Sequence, residues 1–210
     1  MKEFKALNDD NWKQFIMNEV SYILSNECYG GICIDAGCNI GDFPMNHRNR
    51  FDKYVCFDIY DDNIQKCIEN TINIGVPVEV KKLAVWSESN KKIDVFAYKM
   101  HDKEDLNVFG NSGSIGCIEY NGPHGEGWHK ENKIGEVYTI SIEDICKQYG
   151  KINLLKIDVE GSEYEFLMNK DLSKINYIVG EFHFSSEKIE ALINWIRNTH
   201  HQIRGGFKLK

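Results

Sequence analysis

The chain has 210 residues, 42% of them hydrophobic, a formal net charge of −7 and a sequence pI near 5.5. That length suits one domain with a substantial core, and the acidic balance argues against general nucleic-acid binding, which needs a basic face. No run approaches the roughly 20 apolar residues of a membrane span, and seven scattered cysteines without C-x-x-C spacing predict buried, reduced thiols in a cytoplasmic protein.

Trp12, Phe15, Ile16, Val20, Ile23 and Leu24 recur at helical spacing, so residues 11–25 are expected to form an amphipathic helix within an N-terminal helical segment, 1–29. It packs on the sheet or serves as a lid. Ile32–Ile34 is an apolar run fit for a buried strand. Asp35, Gly37, Asn39 and Gly41 follow in a D-x-G-x-x-x-G turn. Glycines allow a tight turn and close approach of a ligand to the backbone, and a following helix N-terminus suits an acidic group. The spacing is not the G-x-G-x-x-G of dinucleotide folds. An Asp at the strand end repels a pyrophosphate but accepts from an ammonium group. The motif therefore favours a cationic nucleoside ligand, with S-adenosylmethionine the obvious candidate.

Tyr54–Phe57 is a second buried strand ending in Asp58, placed to accept from both ribose hydroxyls. A helix over about 62–73 carries Ile64, Ile68 and Ile72 four residues apart and stops at Gly75. Val78–Val85 then reads as one third strand. Strands alternating with helices predict a parallel sheet with right-handed crossovers. Asp35, Asp58 and Ala84 then share the carboxyl edge, where ligands bind.

Residues 87–137 break this rhythm. Ile93, Val95 and Ala97 alternate as a strand, but 107–133 is a Gly-, Asn- and His-rich stretch without a clear period, including His124 and His129. It is expected to be an acceptor-binding insertion or a mobile loop. Ser141 and Asp144 are spaced as a capping box for a short helix, and Ile152–Ile157 is a fourth strand. Asp158, Glu160 and Glu163 follow, more acids than one cap explains, with Ser162 and Glu165 spaced as a second box. Tyr177–Gly180 is a fifth strand leading to Glu181, Phe182 and His183. Ser186 caps a helix lined by Ile189, Leu192, Ile193 and Ile196, and Gly205-Gly206 sits between two short alternating pieces, a hairpin or a frayed tail.

Together, Asp35-Ala36-Gly37-Cys38-Asn39-Ile40-Gly41, Asp58, the run Leu155-Lys156-Ile157-Asp158-Val159-Glu160-Gly161-Ser162-Glu163, and Glu181-Phe182-His183 resemble the FkbM family of S-adenosylmethionine-dependent methyltransferases. The resemblance covers roughly 30–185. It implies an α/β, Rossmann-like class I methyltransferase fold in one domain, 1–210: a mostly parallel central sheet flanked by helices, with an insertion between the third and fourth core strands. It also implies O-methylation of a hydroxyl on a sugar or natural product. Asp58-Ile59-Tyr60 departs from the family's usual Glu-Pro, shortening the ribose carboxylate by one methylene. On this reading Asp35, Gly37, Asn39, Gly41, Asp58, Ile59 and Ala84 hold the cofactor. Ser112, Ser114, Glu160 and Glu181 meet the acceptor, a small molecule, with no nucleic acid or membrane as partner.

Methyl transfer from a sulfonium needs an oriented acceptor and a group to take its proton. Asp158 and His183, at neighbouring strand ends, are the candidate bases. Alternatively Asp158, Glu181 and His183 bind a divalent cation such as Mg that acidifies the hydroxyl, or Glu181 and His183 merely fix the strand end. The rival readings are a methyltransferase-like module that binds without catalysis and another nucleoside- or nucleotide-sugar-binding enzyme.

Overall fold

Side chains alternate across a strand, so a strand buried on both faces must be apolar at successive positions. Cys33 and Ile34 meet that demand on neighbouring residues. In the computed structural model, which describes residues 22, 24–99, 115–121, 127–183, 186–203 and 206–210, both are fully buried and point to opposite sides of the central sheet. Ile34 aligns with Val55 and Leu155, and Leu155 with Ile178, on one face; Cys33 aligns with Tyr54 and Leu154, and Leu154 with Tyr177, on the other.

The elements run β1 (Ile32–Ala36), α1 (Asp42–Asn46), β2 (Lys53–Asp58), α2 (Asp61–Thr71), β3 (Val78–Lys82), β4 (Ala84–Val85), β5 (Lys92–Lys99), β6 (Ile115–Gly116), β7 (Tyr120–Asn121) and β8 (Gly127–Ile140). Then come α3 (Ile142–Tyr149), β9 (Ile152–Ile157), α4 (Glu163–Leu167), β10 (Ile175–Gly180), α5 (Ser186–Arg197), β11 (His200–Ile203) and β12 (Gly206–Leu209). The main sheet has the order β11-β12-β10-β9-β1-β2-β3. Residues of α3, α4 and α5 pack on the Ile34 face, and Phe43 of α1 and Cys67 of α2 on the Cys33 face.

Several expectations need correction. The sheet is mixed rather than mostly parallel: β3, β2, β1, β9 and β10 are parallel, but β12 runs antiparallel to both β10 and β11. The tail is therefore a hairpin, not a frayed end. The predicted single strand 78–85 is two. β3 stays with β2, the Leu83 amide turns to the Asp58 carbonyl at 3.1 Å, and β4 leaves to pair with β8 in a second sheet, β4-β8-β5-β6. Residues 127–133, expected in a loop, belong to the 14-residue β8. Its pairing with β5 slips between Val95 and Phe96 and again between Phe96 and Tyr98. Such bulges erase the alternation by which a strand is read, and Val95, Phe96 and Ala97 are buried in succession.

In α2 the inward face is Asn63, Cys67 and Thr71, while Ile68 and Ile72 are exposed. Asn63 donates to Asp58 at 3.1 Å, and the Gly41 turn lies against Cys67 and Thr71; these contacts, not the isoleucine stripe, set the helix's rotation. Ser141 accepts from the Asp144 amide at 3.3 Å, as the first capping box predicts. The second does not form: Ser162 makes no cap bond and Glu165 faces Lys188 at 3.5 Å. Of the helix expected over 11–25, only residues 22, 24 and 25 are described, and they are not helical. Ser112, Ser114 and His124 lie outside the described residues.

Candidate functional site

From β1 the chain passes outward to β2 and β3, then returns through the second sheet to β9 on the other side of β1. The connections on either side of β1 thus diverge at its carboxyl end and leave a crevice beside it, the position where open α/β sheets hold ligands. The register puts Ala36 level with Phe57 and Ile157, and Ile157 level with Gly180. The residues just beyond them, Gly37, Asp58, Asp158 and Glu181, therefore come together at one edge.

Gly37 allows the two central strand ends to meet. Its φ is +77°, and a Cβ there would stand 1.7 Å from the Asp158 carbonyl oxygen, so no other residue fits. The turn is anchored to β2: the amides of Gly37 and Cys38 donate to the Phe57 carbonyl at 2.9 and 3.0 Å, and the Asn39 amide donates to Asp58 Oδ2 at 2.9 Å. Asp58 Oδ1 accepts from Ile59 N at 2.8 Å, Tyr60 N at 3.1 Å and Asn63 Nδ2 at 3.1 Å. Burial pushes this carboxyl's pKa upward against those hydrogen bonds. Asn39 holds a left-handed φ of +49°, and its buried Oδ1 has no hydrogen-bond partner among the described residues.

Gly37, Asn39, Asp58, Ile59, Ala84, Asp158 and Glu160 line the crevice, with Ile115 of the second sheet and Cys117 just beyond β6 closing part of it. Asp35 and Gly41 do not. Asp35 is fully buried, with Oδ1 3.2 Å from the ammonium of Lys156, which itself donates to the Gly37 carbonyl at 2.6 Å and lies 4.0 Å from Asp158 Oδ2. Burial raises the Asp35 carboxyl to about 6, partly countered by Lys156. At neutral pH the pair is charged. Gly41 packs against α2 instead.

The other side of the crevice is a cluster of acids around one histidine. His183 Nδ1 lies 2.8 Å from Glu163 Oε1, and its Nε2 lies 3.7 Å from Glu181, 3.9 Å from Asp158 and 3.9 Å from Glu160. Burial alone would lower the imidazole, but the hydrogen bond to Glu163, the nearby Glu181 carboxylate and the charges of Glu160 and Glu163 raise it to about 11. Glu163 is fully buried and also accepts from the amides of Val159 and Gly161, closing the loop under the histidine. Burial raises Glu160 to about 7, countered by the charge of His183 and reinforced by the like charges of Asp158, Glu163 and Glu181. Glu160 also holds a left-handed φ of +50°, a conformation costing on the order of 1 kcal/mol or more, and one that clusters at functional sites. Among the described residues Asp158 Oδ1 is buried without a hydrogen bond, while Oδ2 accepts from the Tyr22 hydroxyl at 3.3 Å.

Asp158, Glu160 and His183 offer ligand atoms within 4.8 Å of one another, so Glu160 joins the expected cation set more closely than the exposed Glu181. Lys156, Glu163 and Tyr22 were not among the predicted site residues. A lone lysine inside the apolar run Leu154–Ile157 is a readable signal, and Glu163 ends the acidic motif; Tyr22 has none.

The family model described as the methyltransferase FkbM domain matches residues 35–205. The chain belongs to the FkbM methyltransferase family. The family is one of methyltransferases, for which S-adenosylmethionine is the usual donor. No curated protein matches the sequence. Among solved structures, the crystal structure of methyltransferase FkbM from Methylobacillus flagellatus KT, at 2.20 Å resolution, is similar at TM-score 0.48 and 14% identity. That similarity covers 91% of this chain and 46% of the other, so this FkbM chain spans about half the length of that relative. Among the described residues no helix is long and apolar enough to cross a membrane.

Proposed function

We propose that residues 1–210 act as one S-adenosylmethionine-dependent O-methyltransferase domain whose acceptor is a hydroxyl of a sugar or natural-product small molecule. One observation carries the reading: the glycine turn and Asp58 converge with Asp158 and Glu160 on a single crevice at the strand switch point. The turn takes the methionine and ribose portions, with Asp58 Oδ2 and the unpartnered Asn39 Oδ1 accepting from hydroxyl or ammonium groups. Ile59 and Ala84 flank the base. Asp35 acts through Lys156 and the Gly37 carbonyl rather than by direct contact.

The donor carries an activated methyl group, so the protein's task is to orient the acceptor oxygen in line and take its proton. His183, expected as a base, is held protonated by its acids near neutral pH. Glu160, at about 7, has the proton affinity such a step needs. Asp158 orients the hydroxyl, and His183 fixes both carboxylates.

A second reading keeps the donor and adds a divalent cation, favoured by the 4.8 Å cluster. Mg²⁺ takes oxygen ligands, so Asp158 and Glu160 of that cluster would hold it and it would lower the acceptor hydroxyl's pKa. Turnover abolished by a chelator and restored by Mg²⁺ supports that reading; turnover unchanged by the chelator removes it.

Calorimetric titration with S-adenosylmethionine and S-adenosylhomocysteine, with NAD and a nucleotide sugar as controls, tests the donor assignment. Micromolar binding of the first pair alone is expected. Binding of a control instead would reassign the crevice. Donor binding without methylation in a screen of sugar and polyketide hydroxyls would leave a binding module.

A further inference from the structure

Behind the glycine turn, on the side away from the crevice, three cysteines from three different elements converge. Cys38 comes from the turn, Cys56 from β2 and Cys67 from α2. Their sulfur atoms all lie within 4.8 Å of one another, and all three residues are at most 3% exposed. They sit in the packing layer with Phe43 and Tyr54, and none lines the crevice. Among the described residues no histidine or carboxylate joins the group.

We propose that Cys38, Cys56 and Cys67 form a binding site for a trivalent thiophilic metalloid, arsenic(III) or antimony(III), and that loading it disables the turn above. Sulfur-only donors select a soft centre. Three donors rather than four disfavour zinc, whose closed sites are tetrahedral. Charge then separates the remaining candidates. Three thiolates leave a buried charge of −2 around copper(I) and −1 around mercury(II), but none around arsenic(III). Burying net charge is expensive, and the buried Asp35 carboxylate close by would add to the cost.

The step balances without an oxidant: As(OH)₃ + 3 R–SH gives As(SR)₃ + 3 H₂O. Three As–O bonds break, three As–S bonds form, each thiol proton leaves in a water molecule, and arsenic stays trivalent. Three sulfurs bonded to one centre at roughly 2.3 Å, the zinc–thiolate length, lie at most about 4.0 Å apart. The thiols, within 4.8 Å of one another, therefore draw together by at most on the order of 1 Å. Cys38 is bonded directly to Gly37 and Asn39, whose amides hold the turn on β2. Pulling Cys38 toward α2 displaces both from the crevice wall.

The test is native mass spectrometry of the full chain with sodium arsenite under a phosphine reductant, with titration of the remaining thiols. The expected result is one arsenic gained with three hydrogens lost, and three of the seven thiols withdrawn from titration. Cys38→Ala, Cys56→Ala and Cys67→Ala should each abolish the adduct, while Cys28→Ala and Cys146→Ala should keep it; if one of the first three fails to fold, the other two decide. No adduct, an adduct on two thiols, or one surviving Cys67→Ala would overturn the site.

The effect on the turn rests on the proposed function. It predicts at least a tenfold loss of S-adenosylhomocysteine affinity on loading, and equal affinity with and without arsenic would overturn it. Because the mass readout needs no donor, an adduct on a chain that never binds donor would sink the donor assignment and leave the thiol site standing.

Discussion

At the end of β2, Asp58 gives its two oxygens to four donors of its own chain, three backbone amides and Asn63. At the end of β9, among the described residues, Asp158 keeps a buried oxygen without a hydrogen bond, and Glu160 makes one ion pair, to His183 at 3.9 Å. The first carboxylate organises backbone; the second pair is left open to chemistry. Both strand ends are acidic in sequence, so the distinction lies in which neighbours the fold brings to each. A satisfied carboxylate holds a binding surface in one shape, while an unsatisfied one, costing on the order of 1–3 kcal/mol, is tolerated where a ligand completes it.

The most damaging way to break this contrast is at the contact between the two ends. Gly37→Ala puts a methyl group on the Asp158 carbonyl. We expect loss of the cooperative thermal transition, and a variant with wild-type Tm would mean the strand ends do not meet as described. Next is Lys156→Met, which strands Asp35 as a buried unpaired charge. Breaking such a pair costs about 3–5 kcal/mol, read from the denaturant midpoint, and Lys156→Met with Asp35→Asn should cost less than the single change.

The acid cluster predicts two pH effects of smaller size. His183 is raised from 6.5 to about 11 in the fold. Its stabilising contribution is therefore complete below pH 6.5 and is lost as pH rises through about 11. Glu163→Gln should flatten the decline of Tm over that window; an unchanged profile would place the titrating group elsewhere. Glu160, raised from 4.5 to about 7, should give turnover an acid limb centred near 7. Glu160→Gln should remove both the limb and most of the rate.

Much of this contrast was legible in the sequence. Gly37, Asn39, Asp58, Asp158, Glu160 and His183 stand in recognisable runs at strand ends, and a parallel pattern sends strand ends to one edge. What the sequence hid has physical causes. Asp35 looks like a ligand residue because nothing in its run reveals that Lys156, 121 positions later, turns onto it. The strand over 127–140 was masked by bulges against β5, and the rotation of α2 by a buried Asn63 bonded to Asp58. Each is a tertiary contact that overrides a local pattern.

The proposed function divides labour between Asp58, which holds the donor, and Glu160, which takes the proton. Its most direct test is calorimetric titration of S-adenosylhomocysteine into the wild type, Asp58→Ala and Glu160→Gln side by side. Micromolar binding to wild type is expected, with at least a tenfold loss in Asp58→Ala and affinity within a few-fold of wild type in Glu160→Gln. Wild-type affinity in Asp58→Ala, or loss of binding in Glu160→Gln, would contradict it.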